Sequence, residues 1–192
     1  LMHVQIKRLD SLVSVADAAT AKAAKRNKVG NRPAPKLAPN AKTAVVLVSG
    51  YNGLGLHTLF NVTRVFGDTF KNFFFVEVGI VDAGNFKGTE EIAKLKCHVS
   101  EDVNRYVEFM QVQGFYAETF CAIGNDAVEE ICEIARLVLE RCPNAVFFGG
   151  QMVFPKDTFF TRILHNYTTF AVQRRFYLQG IPFIIMPIRV GR

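Results

Sequence analysis

From Ala44 onward, short continuous apolar runs alternate with stretches in which apolar residues recur every three or four positions. The runs are Ala44–Ser49, Asn72–Val81, Tyr116–Ile123, Ala145–Phe148 and Phe183–Ile188. Short and rich in Val, Ile and Phe, they predict five strands. Between them the helical period predicts helices over about Leu56–Phe66, Glu90–Gln113, Ala127–Arg141 and Thr158–Tyr177. In the third of these, Val128, Ile131, Cys132, Ala135, Val138 and Leu139 form a single apolar stripe. Strands that are apolar on both faces need cover on both faces, and amphipathic crossovers supply it only around a parallel sheet. The expected fold is therefore α/β, a doubly wound five-stranded parallel sheet over residues 44–192.

The first 43 residues read differently. Met2, Ile6, Leu9 and Val13 recur at helical spacing with Lys7, Arg8 and Asp10 between them, which predicts a short amphipathic helix over Leu1–Val15. Ala16–Thr43 turns to Ala, Lys, Asn and Pro, with Pro33, Pro35 and Pro39 against regular structure, and is expected to be a flexible basic linker. Charge separates the two parts. Residues 1–43 carry nine Lys/Arg against two Asp, whereas residues 44–192 carry fourteen against fifteen acids. The basic balance of the chain thus belongs to the tail, and the near-neutral domain has no charge signature of a nucleic-acid partner.

Several chemistries lack their motifs. No apolar run approaches the roughly 20 residues that span a bilayer, and the N-terminal segment has no small-residue cleavage site of a secretory signal. Cys97, Cys121, Cys132 and Cys142 form no C-x-x-C pair and have no histidines at zinc-ligand spacing, so reduced thiols are expected. There is no G-x-x-x-x-G-K-[ST] and no G-x-S-x-G elbow, and Thr58 stands where a third glycine would complete G-x-G-x-x-G after Gly53 and Gly55. His57 and His165 have no recognisable nucleophile or metal partner, so no catalysis is expected.

A ligand site is expected beyond the carboxyl ends of the strands. The segments that follow the strands are Ser49–Gly55, Asp82–Asn85, Gly124–Asp126 and Gly149–Gln151, all at one edge of such a sheet. Each contains glycine, which lets backbone N–H groups approach an anion, although turns between strands and helices use glycine for their own geometry. The candidate ligand contacts are Ser49, Gly50, Tyr51, Gly53 and Gly55, then Asp82, Gly124 and Asn125, then Gly149, Gly150 and Gln151, with His165 and Asn166 at the same mouth.

Two segments carry a family resemblance. Ala122–Ile131 resembles the Gly-Asp-Pro-containing segment after the third strand of universal stress proteins, and Gly180–Arg189 resembles their closing strand. The resemblance implies a nucleotide ligand such as ATP or AMP, with a cyclic dinucleotide as a further candidate. It also implies a homodimer that pairs through the last strand or swaps it. The ATP-binding motif of that family departs here: Gly50 and Tyr51 occupy the place of its acid, and Met152–Phe154 follows Gly149-Gly150 where a second glycine is expected. Val46–His57 and Leu164–Arg175 are similar to the cytosolic C-terminal domain of bacterial permeases of the amino acid–polyamine–organocation superfamily. That similarity implies a regulatory domain on the cytoplasmic side of the cell membrane, joined to a transmembrane permease domain in the same chain. A free-standing stress-type protein binding ATP or AMP is the alternative, and a purely structural domain is the third.

A basic helix and linker are also what an anionic membrane surface attracts, at about 1 kcal/mol per basic residue near it. The chain is expected to bind vesicles rich in anionic lipid at low salt and to lose that binding as salt rises. Co-sedimentation that does not depend on salt, or none at low salt, would contradict the juxtamembrane reading of the tail.

Overall fold

A computed structural model describes residues 11–22, 35–81, 89–153 and 159–189. Five strands, β1 (Thr43–Leu47), β2 (Asn72–Ile80), β3 (Tyr116–Gly124), β4 (Ala145–Val153) and β5 (Phe183–Arg189), form one sheet in the order β3-β2-β1-β4-β5. Every neighbouring pair is parallel. The crossovers are α2 (Gly53–Phe66), α3 (Thr89–Val112), α4 (Ala127–Arg141) and α5 (Phe159–Gln179), preceded by a helix α1 over residues 11–22. The fold is a doubly wound parallel α/β sheet, as the alternating pattern requires. Among the described residues no helix is long and apolar enough to cross a membrane.

The continuous apolar runs are explained by burial on both faces. In β2, Phe73 and Phe75 join the core on the side of α2 and α3, while Phe74 and Val76 join the core on the side of α4 and α5. The same alternation sends Ala44 and Val46 of β1 one way and Val45 the other, and splits Phe148 from Phe147 in β4. These side chains are essentially inaccessible to water, and each large one contributes about 1.5–3 kcal/mol on burial.

The start of the domain differs from the expected boundary at Ala44. The Asn72 side chain accepts a hydrogen bond from the Ala38 N–H at 3.1 Å and donates to the Ala38 carbonyl and the Thr43 hydroxyl, both at 2.8 Å. Leu37 packs against the α4–α5 core, and the Asn144 amide donates to the Asn40 carbonyl. Residues 35–42 therefore belong to the fold.

The N-terminal helix also differs from expectation, because it continues to residue 22 where a linker was expected from Ala16. Ala16 lies buried in the α2–α3 core, and Asp17 holds Arg105 of α3 through two oxygens at 2.8 and 3.0 Å. The Ala-rich run Ala16–Ala21 has high helix propensity, and a small residue at position 16 lets the helix pack closely. The expected helical residues Leu1–Asp10 and much of the linker lie outside the described residues.

Strand β4 also extends five residues beyond the expected Phe148. Gly149, Gly150 and Gln151 are ladder residues opposite Ile185, Met186 and Pro187, not a loop. The two glycines answer a packing need. A Cβ at Gly149 would come within 2.8 Å of the Phe183 ring, and one at Gly150 would collide with the Thr58 hydroxyl on α2.

Candidate functional site

The order of the strands places a reversal between β1 and β4: from β1 the chain builds outward to β3, then returns to the other side of β1. Such a switch point separates the loops after the two strands and opens a crevice at their carboxyl ends. A cavity of about 320 Å³ occupies it. Ser49, Asn52 and Leu54 from the loop after β1 and the first turn of α2, Gly149 and Gly150 from β4, and Thr168 and Thr169 from α5 are in its wall. Leu47, Val76, Val78 and Ile131 form an apolar side, and Thr58 adds a hydroxyl. No charged side chain lines the cavity among the described residues.

Of the residues expected at the site, Ser49, Gly55, Gly149 and Gly150 meet at this cavity. Gly53 is buried at the start of α2. Gly124 ends β3 in the ladder opposite Ile80, where a Cβ would collide with Glu130, and neither Gly124 nor Asn125 is in the cavity wall. Gln151 lies in the ladder beside Pro187. Asp82 lies outside the described residues, and His165 and Asn166 belong to α5, with their side chains outside the described set.

The backbone amides expected to meet an anion already have partners. Asn52 caps α2 by accepting from the Gly55 N–H at 3.0 Å, and Asp126 caps α4 by accepting from the Val128 and Glu129 N–H groups. The Gly50 N–H donates to Glu77 Oε1 at 2.9 Å. The expected anion cradle at these three positions is therefore occupied by the protein's own side chains.

Gly50 and Tyr51 face away from the cavity, toward a second cluster that the sequence reading did not single out. Gly50 has φ +78°, a conformation L side chains rarely adopt, and this turns its amide onto Glu77. Tyr106 of α3 is completely buried; its hydroxyl donates to the Gly50 carbonyl at 3.1 Å and accepts from the Asn52 N–H at 3.4 Å. Its ring stacks on Phe75 and meets Tyr51 edge-on, while the Arg105 guanidinium lies 3.8 Å over the Tyr51 ring. A Cβ at Gly55 would collide with the Tyr106 hydroxyl, so that glycine makes room for the clamp. The loop after β1 is thus fixed from below, on the side opposite the cavity.

Glu77 is 8% exposed, and among the described residues its Oε2 has no hydrogen-bond partner. Burial pushes its carboxyl up to about 6, the Gly50 N–H opposes that, Asp102 adds to it and His98 opposes it. Burial likewise pushes the Tyr51 phenol up to about 12 and raises Tyr106 further. His98, which is exposed, approaches the half-buried Asp102 carboxylate at 3.5 Å. His57, from which no catalysis was expected, shares its Nδ1 with the Asn61 amide at 2.9 Å.

No protein-family model and no curated protein sequence matches the chain. Among solved structures, a protein from the universal stress protein family of Burkholderia pseudomallei is similar, at 13% identity and a TM-score of 0.48, over 75% of this chain and 96% of that one.

The Glu77 environment has a measurable consequence. A carboxyl raised in the folded state favours folding when protonated, so its contribution is complete below the unfolded value of 4.5 and is lost as pH rises through about 6. The loss is about 2 kcal/mol. Glu77→Gln retains an acceptor for the Gly50 N–H and carries no charge, so it is expected to raise the melting temperature at pH 7.5 by about 5 °C and to leave it unchanged near pH 4.5. Thermal melts of both proteins across that range check this; a lower melting temperature for the variant at pH 7.5 would contradict it.

Proposed function

We propose that this domain is a ligand-sensing regulatory module of a membrane amino acid or cation permease. It takes the base and sugar of a nucleotide into the crevice between β1 and β4. The observation that carries the ligand half of this reading is the cavity itself: about 320 Å³ at the switch point, with an apolar wall and the hydroxyls of Ser49, Thr58, Thr168 and Thr169. A purine stacks against apolar side chains and exchanges hydrogen bonds with hydroxyls, while a phosphate asks for cations or free amides. The wall has no charged side chain among the described residues, and the nearby amides of Gly50 and Gly55 are engaged. The phosphates of AMP, ATP or a cyclic dinucleotide therefore remain outside the cavity and contribute little affinity.

The permease setting is supported by the sequence resemblance of Val46–His57 and Leu164–Arg175 and by the concentration of basic residues in the first 43 positions. A sensing module needs to bind without turnover. Among the described residues the wall offers no acid, base or cation to a phosphoryl group.

Calorimetric titration with adenosine, AMP, ATP and cyclic dinucleotides tests the ligand. Adenosine and AMP are expected to bind within about threefold of each other, a difference of about 0.7 kcal/mol at most. Thr168 is exposed at the cavity mouth, so Thr168→Trp is expected to weaken binding at least tenfold with no change in melting temperature. Absence of binding by all four ligands at millimolar concentration to the folded protein would overturn the proposal.

A further inference from the structure

Helix α5 packs Val172 and Phe176 completely into the core, yet its opposite face is not polar. Tyr167, Phe170, Arg174, Tyr177 and Leu178 recur at spacings of three, four, three and one, on the side turned to solvent. Tyr167 is 74% exposed, Tyr177 82% and Leu178 73%. A helix that is apolar on two faces is expected to be covered on both. At about 200 Å² for each aromatic ring, the three rings and Leu178 expose roughly 500 Å². That is at the upper end of what a monomer carries, and more than half of the about 800 Å² that each partner contributes to a standard interface.

The charge pattern of this face says what covers it. Arg174 stands in the middle of the aromatic stripe, and α5 has no acid anywhere along its length. Two copies of α5 packed antiparallel about a two-fold axis near residues 172–173 bring position 174 of each opposite positions 170 and 171 of the other. Each guanidinium then lies over the Phe170 and Tyr167 rings of the second copy, and each Leu178 meets the other Tyr167. The arginine needs no carboxylate in this arrangement, since the ring faces attract it. The stripe is its own complement, as a two-fold interface demands. An anionic membrane also suits Arg174 and the exposed Arg175 beside it, and vesicle flotation separates that cover from a second copy.

The edge of β5 is less suited to pairing. The Phe147 N–H donates to the Pro182 carbonyl at 2.9 Å, in register with Phe183. Alternation along a parallel ladder then turns Phe183, Ile185 and Pro187 toward the open edge. Pro187 offers no N–H there, which interrupts any ladder with another chain.

We infer that the solvent face of α5 is a self-association surface, on which a second copy of this chain packs antiparallel with Arg174 over the partner's aromatic rings. Sedimentation equilibrium of the full chain from 1 to 200 µM tests this, with far-UV circular dichroism and melting temperature as controls on folding. A reversible dimer is expected, weakened at least tenfold by Tyr177→Ser with Leu178→Ser and about fivefold by Arg174→Ala. Tyr167→Ser alone is a second probe at the other end of the stripe and is also expected to weaken it. A wild-type monomer across the range, or a dimer that folded stripe variants leave unchanged, would overturn the inference. So would a chain that stays monomeric and floats with phosphatidylserine vesicles through this stripe.

Discussion

Strands β1, β2 and β4 have no face turned to water, and that constraint organises the molecule. Phe73, Phe74 and Phe75 in succession, like Phe147 and Phe148, bury side chains on both sides of the sheet. Helices must then cover both faces, which makes each connection a crossover and the sheet parallel. All βα loops consequently lie along one edge, and the order β3-β2-β1-β4-β5 opens that edge between β1 and β4. The position of the cavity follows from where aromatic residues were buried, before any site residue is considered.

The same loop that borders the cavity is held from its other side by a polar clamp within an aromatic core. Glu77 and Tyr106 take up the backbone of Gly50 and Asn52, and Arg105 links Tyr51 to Asp17 of α1. A buried carboxylate costs stability at neutral pH, so Glu77 is an expensive way to position a turn. Fixing the turn holds one wall of the cavity in place. It also uses up amides that an anion would need, and among the described residues the crevice wall carries no charge.

Much of the fold was legible because a period of two buried on both faces and a period of 3.6 buried on one are hard to confuse over this length. The fourth helix is an instance, since the stripe from Val128 to Leu139 gave α4 its observed bounds. Boundaries failed where composition suggested irregular structure but tertiary packing decided otherwise. Ala16–Ala21 reads as linker by its neighbours and is helix by its propensity and by the burial of Ala16. Gly149-Gly150 reads as a turn and is strand, because Phe183 and Thr58 crowd against it from α-helical and strand neighbours that sequence does not reveal. The candidate site was legible only in part. Ser49, Gly55, Gly149 and Gly150 were found from topology, whereas Thr168 and Thr169 reach the cavity from α5 with no motif to mark them. Glu77 did carry a signal, as the one acid in the run from Phe73 to Val78, and a lone carboxylate in a two-sided buried strand must meet a partner.

The central claim is that ligands enter the neutral crevice between β1 and β4 and not the polar cluster beneath the first loop. Amide chemical shifts recorded during a titration of the full chain with adenosine test it most directly. The account predicts saturable shifts at Ser49, Thr58, Gly149 and Thr168, with His98 and Asp102 unmoved. Shifts confined to His98, Asp102 and Glu77, with the crevice residues unmoved, would contradict it.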